Sequence, residues 1–169
     1  CDGALSKTRE ILKLKKPEFY LGIQGFLPKQ DNANYVETWP TENGFIWKIP
    51  RGQEVEWGIM ERPDLANKIF YDFLAKNNIR LEYQQAWLIP QGLVMPRNDK
   101  IALMGDAAGM TKPWSGGGVI WGLRACDLLL KNFPNFTKYQ KEAKMFFGPK
   151  IFFSKAVKKM IYFLGFNFP

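Results

Sequence analysis

The chain has 169 residues, with 24 Lys and Arg against 16 Asp and Glu, a formal charge of +8, two Cys and no His. This length suits one domain or two small ones, and 46% hydrophobic residues exclude a disordered chain. Because the chain has no His and only two Cys, a Ser-His-Asp triad and a zinc site of His/Cys type are excluded. No metal site is expected. Two Cys cannot build a disulfide framework, so we expect a reducing, cytoplasmic compartment.

The positive charge is concentrated at the carboxyl end of the chain. Residues 131–169 contain eight Lys and one acidic residue, Glu142, whereas the first 130 residues contain 16 basic and 15 acidic residues. The chain is therefore a nearly neutral body with a basic tail. Since this tail carries no recognition motif, nucleic-acid binding is not expected.

The first half of the chain predicts a β-rich domain. A polar, basic segment ends at Pro17, and between residues 17 and 98 runs of aromatic and β-branched residues alternate with turn residues. The predicted strands are 19–27, 35–39, 45–49, 54–61 and 81–89. Apolar residues at helical spacing predict a helix over 65–74.

Strand 54–61 indicates how this sheet is exposed. Its apolar residues alternate with Glu54, Glu56 and Gly58. Antiparallel sheets commonly expose one face to water, so we expect these three residues on a solvated face.

The second half of the chain has a different pattern. Residues 101–104 form a short, wholly apolar run, which is typical of a buried strand in a parallel sheet. A Gly-rich stretch follows at 105–118, and helical spacing resumes over 119–131. We therefore predict a strand, a glycine-rich loop and a helix in succession, the arrangement in which open α/β sheets place ligands.

The residue types of this loop favour a ligand site. Small residues let the backbone approach a bulky ligand, and the Asp106 carboxylate can accept hydrogen bonds from hydroxyl groups. Gly116, Gly117 and Gly118 leave the first turn of the following helix bare, so its free N–H groups and the positive end of its dipole can face an anion. A ring system that becomes anionic on reduction would suit this place equally.

Two motifs of the chain resemble those of a known flavoprotein group. Residues 101–109, with Pro113 and the three glycines at 116–118, resemble the second flavin-binding motif of the aromatic-hydroxylase-like FAD oxidoreductases, and among these look most similar to the geranylgeranyl reductases. Residues 1–9, which contain Asp2-Gly3, resemble the Asp-Gly motif of the same family. The resemblance covers most of residues 1–131.

The resemblance implies an α/β (α+β) fold, namely the FAD/NAD(P)-binding fold of the aromatic-hydroxylase type with an antiparallel β-rich substrate domain and a carboxyl-terminal helical tail. No Gly-x-Gly-x-x-Gly turn occurs in the chain, so we expect a fragment without the first βαβ unit. The expected segments are 1–16 (end of an FAD-binding segment), 17–98 (substrate domain), 99–131 (second FAD-binding segment) and 132–169 (basic helical region).

The resemblance also implies which residues hold the cofactor. Asp106 would bind the ribityl chain, and the three glycines would bring the helix to the pyrimidine edge of the flavin. Asp2 and Gly3 would lie near the pyrophosphate. Arg9 would either pair with a phosphate or form a structural ion pair. The full set of candidates is Asp2, Gly3, Arg9, Gly105, Asp106, Ala107, Ala108, Gly109, Pro113, Gly116, Gly117 and Gly118.

A third motif concerns the substrate. The reductases carry Tyr-x-Trp-x-Phe-Pro, and the matching stretch here keeps Trp47 and Pro50 but has Phe45 and Ile49 at the other positions. Period-2 spacing puts Phe45, Trp47 and Ile49 on one strand face. Such a face suits a polyprenyl chain, although it could equally be ordinary sheet core.

The function implied is an FAD-dependent reductase that saturates C=C bonds of a geranylgeranyl lipid, with NAD(P)H or another reductant as electron donor. The alternatives are an aromatic monooxygenase or a quinone-linked dehydrogenase of the same group, or a peripheral lipid-binding module without enzymatic activity. No catalytic residue is assigned, and neither Cys is nominated.

The basic tail leaves two interpretations open. A helix drawn over 154–164 has Lys155, Lys158, Lys159 and Tyr162 on one face, and Val157, Met160, Ile161 and Leu164 lie opposite. This helix could lie on an anionic membrane surface, making the protein peripheral, or pack on the core with its Lys face in water.

Overall fold

The computed structural model describes residues 2–28 and 32–167. The chain divides into two compact units, one formed by Cys1–Phe19 with Ile89–Pro169 and the other by Tyr20–Leu88. In chain order, the elements are α1 (Lys7–Ile11), β1 (Glu18–Pro28), β2 (Glu37–Pro40), β3 (Phe45–Arg51), β4 (Glu54–Glu61), α2 (Ala66–Lys76), β5 (Tyr83–Gln91), a 3₁₀ turn (Gly105–Ala108), α3 (Val119–Asn132) and α4 (Phe136–Asn167).

The predicted β-rich region forms one five-stranded sheet with the strand order β2-β3-β4-β1-β5. The pairs β1–β4, β2–β3 and β3–β4 are antiparallel, as expected for the β-rich domain. The strands fall close to the predicted ranges because aromatic and β-branched residues at period 2 specify a pleated, half-buried surface locally.

One face of the sheet is covered by α2. Ala66, Phe70 and Leu74 recur at four-residue spacing on this helix and are buried against Ile46 and Ile59 of the sheet. Burying a side chain of Phe or Leu size stabilises the folded state by about 1.5–3 kcal/mol, so this contact is a main source of the unit's stability. The helix ends at Asn77, followed by Asn78 in the left-handed region at φ 55°.

The face opposite α2 is not the solvated surface that the alternation in β4 predicted. Glu56 is buried, and its carboxylate accepts a hydrogen bond from Trp47 Nε1 at 2.7 Å and another from Arg51 Nε at 2.8 Å. Met60, on the same face, is also buried. The expectation was wrong at Glu56 because these two partners come from β3, and a pattern within one strand does not reveal them.

In the unit formed by Cys1–Phe19 and Ile89–Pro169, α3 and α4 form the core. Tyr139, Ala143, Phe147 and Ile151 recur every four residues along α4 and are buried together with Trp121 of α3. The predicted helix over 154–164 is the last part of this much longer helix, which continues through Pro149. We attribute the continuation to burial of Phe147 and Ile151, which offsets the hydrogen bond that proline cannot make.

The run 101–104, predicted as a buried strand, is not a strand. It is extended at Met104 (φ −148°, ψ 167°), but no strand of the described ranges pairs with it. Two of its carbonyls are satisfied by α4 instead, because Tyr139 Oη donates to Leu103 O at 3.0 Å and Gln140 Nε2 to Ile101 O at 3.2 Å. A strand needs a partner ladder, which the apolar pattern alone does not provide.

The last part of α4 does not bury its apolar residues against the described chain. Met160, Ile161 and Leu164 are exposed, whereas Lys158 and Tyr162 are half-buried. The interpretation of a packed terminal helix with only its Lys face in water is therefore wrong here. In the described ranges 2–28 and 32–167, no helix combines the length and apolar character needed to cross a bilayer.

Candidate functional site

The Gly-rich stretch begins with a tight turn that only glycine allows at its two ends. Gly105 (φ 57°) and Gly109 (φ 68°) both lie in the left-handed region, where other residues are strained. Between them, the 3₁₀ turn is closed by hydrogen bonds from Gly109 N to Asp106 O at 2.9 Å and from Met110 N to Gly105 O at 3.0 Å. The turn holds Asp106 on the outside, where its side chain is exposed.

This turn is attached to the segment that follows β5. Gly92 N donates to Gly109 O at 3.0 Å, and the Thr111 hydroxyl donates to Pro90 O at 2.6 Å in a buried position. Buried backbone groups need such partners, so these bonds fix where the turn lies.

Arg9 joins the two segments that carry the flavin-type motifs. Its side chain is 5% exposed, and its guanidinium donates from Nη1 to Ala107 O at 2.8 Å and from Nη2 to Ala4 O at 2.6 Å. The guanidinium also lies 5.8 Å from the ring centre of Phe19. Desolvation lowers the pKa of Arg9, but a guanidinium stays charged in proteins. The observed bonds favour the positioning of both loops over direct phosphate binding.

Asp2 is engaged with the start of α1. Its Oδ2 accepts hydrogen bonds from Thr8 N at 2.8 Å and from the Ser6 hydroxyl at 2.9 Å, and Ser6 in turn caps α1 through Arg9 N at 3.1 Å. Hydrogen bonds from Thr8, first through its side chain and then through its N–H, together with that from Ser6, lower the pKa of Asp2 to about 2. The structure thus places Asp2 and Gly3 beside Arg9, in one preorganised loop.

Asp106 lies beside the amino end of α3. A Cβ added to Gly118 would be 3.3 Å from Asp106 Oδ1 and 3.3 Å from Thr111 Cγ2, so a side chain there would crowd the carboxylate. Partial burial of this carboxyl raises the pKa of Asp106. The structure therefore brings together the predicted carboxylate and the predicted glycine.

The amino end of α3 is bare, as the glycines predicted. Gly118 is the N-cap, and no side chain in the described part of the chain caps the helix. The preceding loop is held by its own backbone, with Gly116 N donating to Lys112 O at 2.9 Å and Lys112 N to Gly117 O at 3.1 Å. The first N–H groups of α3 are therefore available to a ligand, and the helix dipole favours one that can carry negative charge.

The candidate substrate residues belong to the other unit, Tyr20–Leu88. Phe45, Trp47 and Ile49 are half-buried and share the sheet face opposite α2, as the spacing predicted. The Trp47 ring lies directly over Gly58, where a Cβ would overlap it. Pro50 pairs with Val55 in the register and therefore lies on the other face.

Sequence reasoning missed several residues that shape the site. Trp114 projects from the Gly-rich loop with the Lys112 ammonium 5.7 Å from its ring centre. An exposed aromatic residue beside a Lys inside a glycine-rich stretch was the available signal. Tyr139 and Gln140, which hold the run before the loop, gave no local signal because their partners lie about 40 positions away along the chain.

The residues present fit one end of an FAD molecule. A carboxylate beside a bare helix end can bind a hydroxylated chain and stabilise a ring that becomes anionic. The chain offers no Gly-x-Gly-x-x-Gly turn for the adenosine diphosphate end. The fit is thus to the flavin and ribityl portion.

Comparison with other sequences gives a distant relative. No protein-family model matches the chain. An uncharacterized protein of Methanocaldococcus jannaschii is 31% identical over an alignment that covers 74% of this chain and 37% of that protein. The chain therefore spans little more than a third of the length of this curated relative.

Comparison with solved structures shows the fold. A geranylgeranyl bacteriochlorophyll reductase-like protein from Thermoplasma acidophilum matches with a TM-score of 0.70 at 18% identity, covering 88% of this chain and 45% of that one. A tetracycline destructase matches with a TM-score of 0.67 at 18% identity, and the match covers 96% of this chain and 53% of that one. A flavin-dependent halogenase from Xanthomonas campestris matches with a TM-score of 0.61 at 15% identity, and the match covers 86% of this chain and 33% of that one. The chain has the architecture of part of these proteins.

Proposed function

We propose that this chain supplies the flavin-edge loops and the substrate sheet of an FAD-dependent reductase that saturates C=C bonds in the polyprenyl group of a lipid. The observation that carries the proposal is the Arg9 bridge, which brings the Asp-Gly loop and the 105–118 loop together although they are separated by the β-rich insert. Two loops of a merely structural kind would not need a carboxylate beside an uncapped helix end at their junction.

The likeness to the geranylgeranyl bacteriochlorophyll reductase-like structure supports the reductase within the broader flavoprotein group. In this proposal, Asp106 accepts hydrogen bonds from the ribityl hydroxyls, and the first N–H groups of α3 face the flavin ring. When bound, reduced flavin would supply the hydride for one alkene carbon and return to its oxidised form, while a proton would be added to the other carbon. Arg9 holds both loops in place through its bonds to Ala4 O and Ala107 O.

The sheet supplies the apolar surface that the substrate needs. Phe45 and Trp47 lie with ring centres 5.7 Å apart, and Glu56 fixes the indole through its hydrogen bond to Nε1. An isolated alkene is a poor hydride acceptor, so its reduction depends on close placement and on exclusion of water. A rigid aromatic surface can hold a flexible polyprenyl chain away from water.

A second candidate is an oxygen-using flavoenzyme of the same group. Its support is the likeness to flavin-dependent halogenases, one of which matches with a TM-score of 0.61 over 86% of this chain. In such an enzyme, the same flavin-edge loops would serve a different substrate, and the product would gain an atom other than hydrogen.

The test uses the complete gene product, incubated with a geranylgeranyl lipid and either NAD(P)H or dithionite as reductant. We expect the lipid to gain mass in two-hydrogen steps, measured by mass spectrometry. Incorporation of oxygen or halide into an aromatic substrate instead would establish the second candidate. A preparation that retains no flavin would refute both.

A further inference from the structure

Helix α4 presents an apolar face to solvent. Tyr139, Ala143, Phe147 and Ile151 are buried on its inner side, whereas the residues on its outer side are exposed. The exposed outer residues are Met145, Phe152, Met160 and Phe163, with Phe153 and Leu164 at its border. Phe152 is 78% exposed and Phe163 is 60% exposed. We call Met145, Phe152, Met160 and Phe163 the outer face of α4. It extends for about 27 Å at the rise of an α-helix.

The charges around the outer face have one sign. Residues 143–169 contain five Lys and no acidic residue. Lys155 and Lys159 are exposed beside the outer face. Lys155 also reaches Glu18 Oε2 at 2.8 Å, which ties this part of α4 to the start of β1. The helix is thus held in place while its apolar side stays open.

We infer that the outer face of α4 docks on an anionic lipid bilayer. Exposed Phe and Met side chains enter the acyl boundary, and the flanking lysines contact anionic headgroups. The charge of the helix selects the occupant, because residues 143–169, which carry most of this face, contain five Lys and no acidic residue and are complementary to a negatively charged surface.

The test is sedimentation of the purified chain with vesicles, in the absence of flavin and substrate. We expect binding to mixed phosphatidylcholine–phosphatidylglycerol vesicles, and at least about tenfold weaker binding to phosphatidylcholine alone, because the lysines need anionic lipid. High salt should weaken the binding. Equal sedimentation of the protein with and without vesicles, or equal binding to both vesicle types, would overturn the inference.

Two pairs of variants identify the face. Phe152→Ser with Phe163→Ser should reduce binding by about tenfold or more, whereas Ile11→Ser with Val36→Ser, also exposed apolar residues, should not. Lys155→Gln with Lys159→Gln should reduce binding, and Lys15→Gln with Lys16→Gln should reduce it less. Equal effects within either pair would contradict the assignment. Circular dichroism checks that each variant is folded. Flavin retention is measured separately, so failure of docking and failure of the proposed function are distinguishable.

Discussion

At the residue scale, buried arginine side chains need several acceptors, and Arg9 finds two in backbone carbonyls, one nearby at Ala4 and one at Ala107. The bond to Ala107 O could not have been predicted from the sequence, because Ala107 is 98 positions away. The motif residues themselves were predictable, since glycine and aspartate act through their own backbone and side-chain chemistry. What the sequence did not contain was the contact that brings them together.

Replacement of Arg9 tests this contact. In Arg9→Met, the carbonyls of Ala4 and Ala107 lose their donors, and we expect the free energy of unfolding to fall by about 2 kcal/mol. Lys7→Met removes a solvent-exposed pair with Glu10 and should leave the free energy of unfolding nearly unchanged. Urea unfolding measures both. Equal values for the two variants would show that Arg9 does not hold the loops.

Replacement of Gly118 tests the pairing of Asp106 with the end of α3. Gly118→Ala places a methyl group 3.3 Å from Asp106 Oδ1, so we expect reduced flavin occupancy in the complete gene product. Gly122→Ala, on the same helix, meets no atom within 4 Å. It should keep flavin and stabilise the helix by up to about 1 kcal/mol. Flavin absorbance per protein after gel filtration is the measurement, and full occupancy in Gly118→Ala would contradict the assigned site.

At the element scale, the strands were predictable and their surroundings were not. Period-2 patterns located β1, β3 and β4 because each pattern is read within one strand. The run 101–104 has an equally apolar pattern, but its carbonyls find hydrogen-bond donors on α4 rather than on a neighbouring strand. The length of α4 was also missed, because Gly148-Pro149 is ordinarily a helix-ending signal.

Tyr139 tests how this extended run is held. Tyr139→Phe removes the buried hydrogen bond to Leu103 O, and we expect a loss of about 1 kcal/mol in the free energy of unfolding. Tyr71→Phe removes an exposed bond to Gln84 and should cost less than about 0.5 kcal/mol. Urea unfolding at neutral pH compares them, and a cost for Tyr139→Phe no larger than that for Tyr71→Phe would count against the bond.

The same tyrosine predicts a dependence on alkaline pH. Desolvation first, and the neighbouring Cys126 second, raise the pKa of Tyr139 from 10.0 to about 12. The folded protein holds this proton more tightly than the unfolded chain does. The resulting contribution of Tyr139 to the free energy of unfolding is therefore complete below pH 10.0 and is lost between pH 10.0 and about 12. Stability curves measured across this range should therefore fall more steeply for the wild type than for Tyr139→Phe.

At the scale of the whole molecule, the formal charge of +8 is misleading as a single number. Residues 131–169 carry eight of the Lys, and most of these lie on α4. The sequence predicted the asymmetry, since it is a matter of counting. It did not predict that the apolar side of this helix faces outward, because the wheel drawn over 154–164 does not say which side the rest of the chain covers.

The division of the chain at Phe19 and Ile89 has a consequence for how such a protein can change. Residues 20–88 form their own unit, while the segments on either side of them are fastened to each other by the bond from Arg9 to Ala107 O and by the ion pair of Lys155 with Glu18. The entropic cost of closing such a loop grows only slowly with its length. A unit of another length could therefore replace residues 20–88 at little entropic cost. Under the proposed function, such an exchange would change the surface offered to the substrate and leave the loops proposed to hold the flavin unchanged.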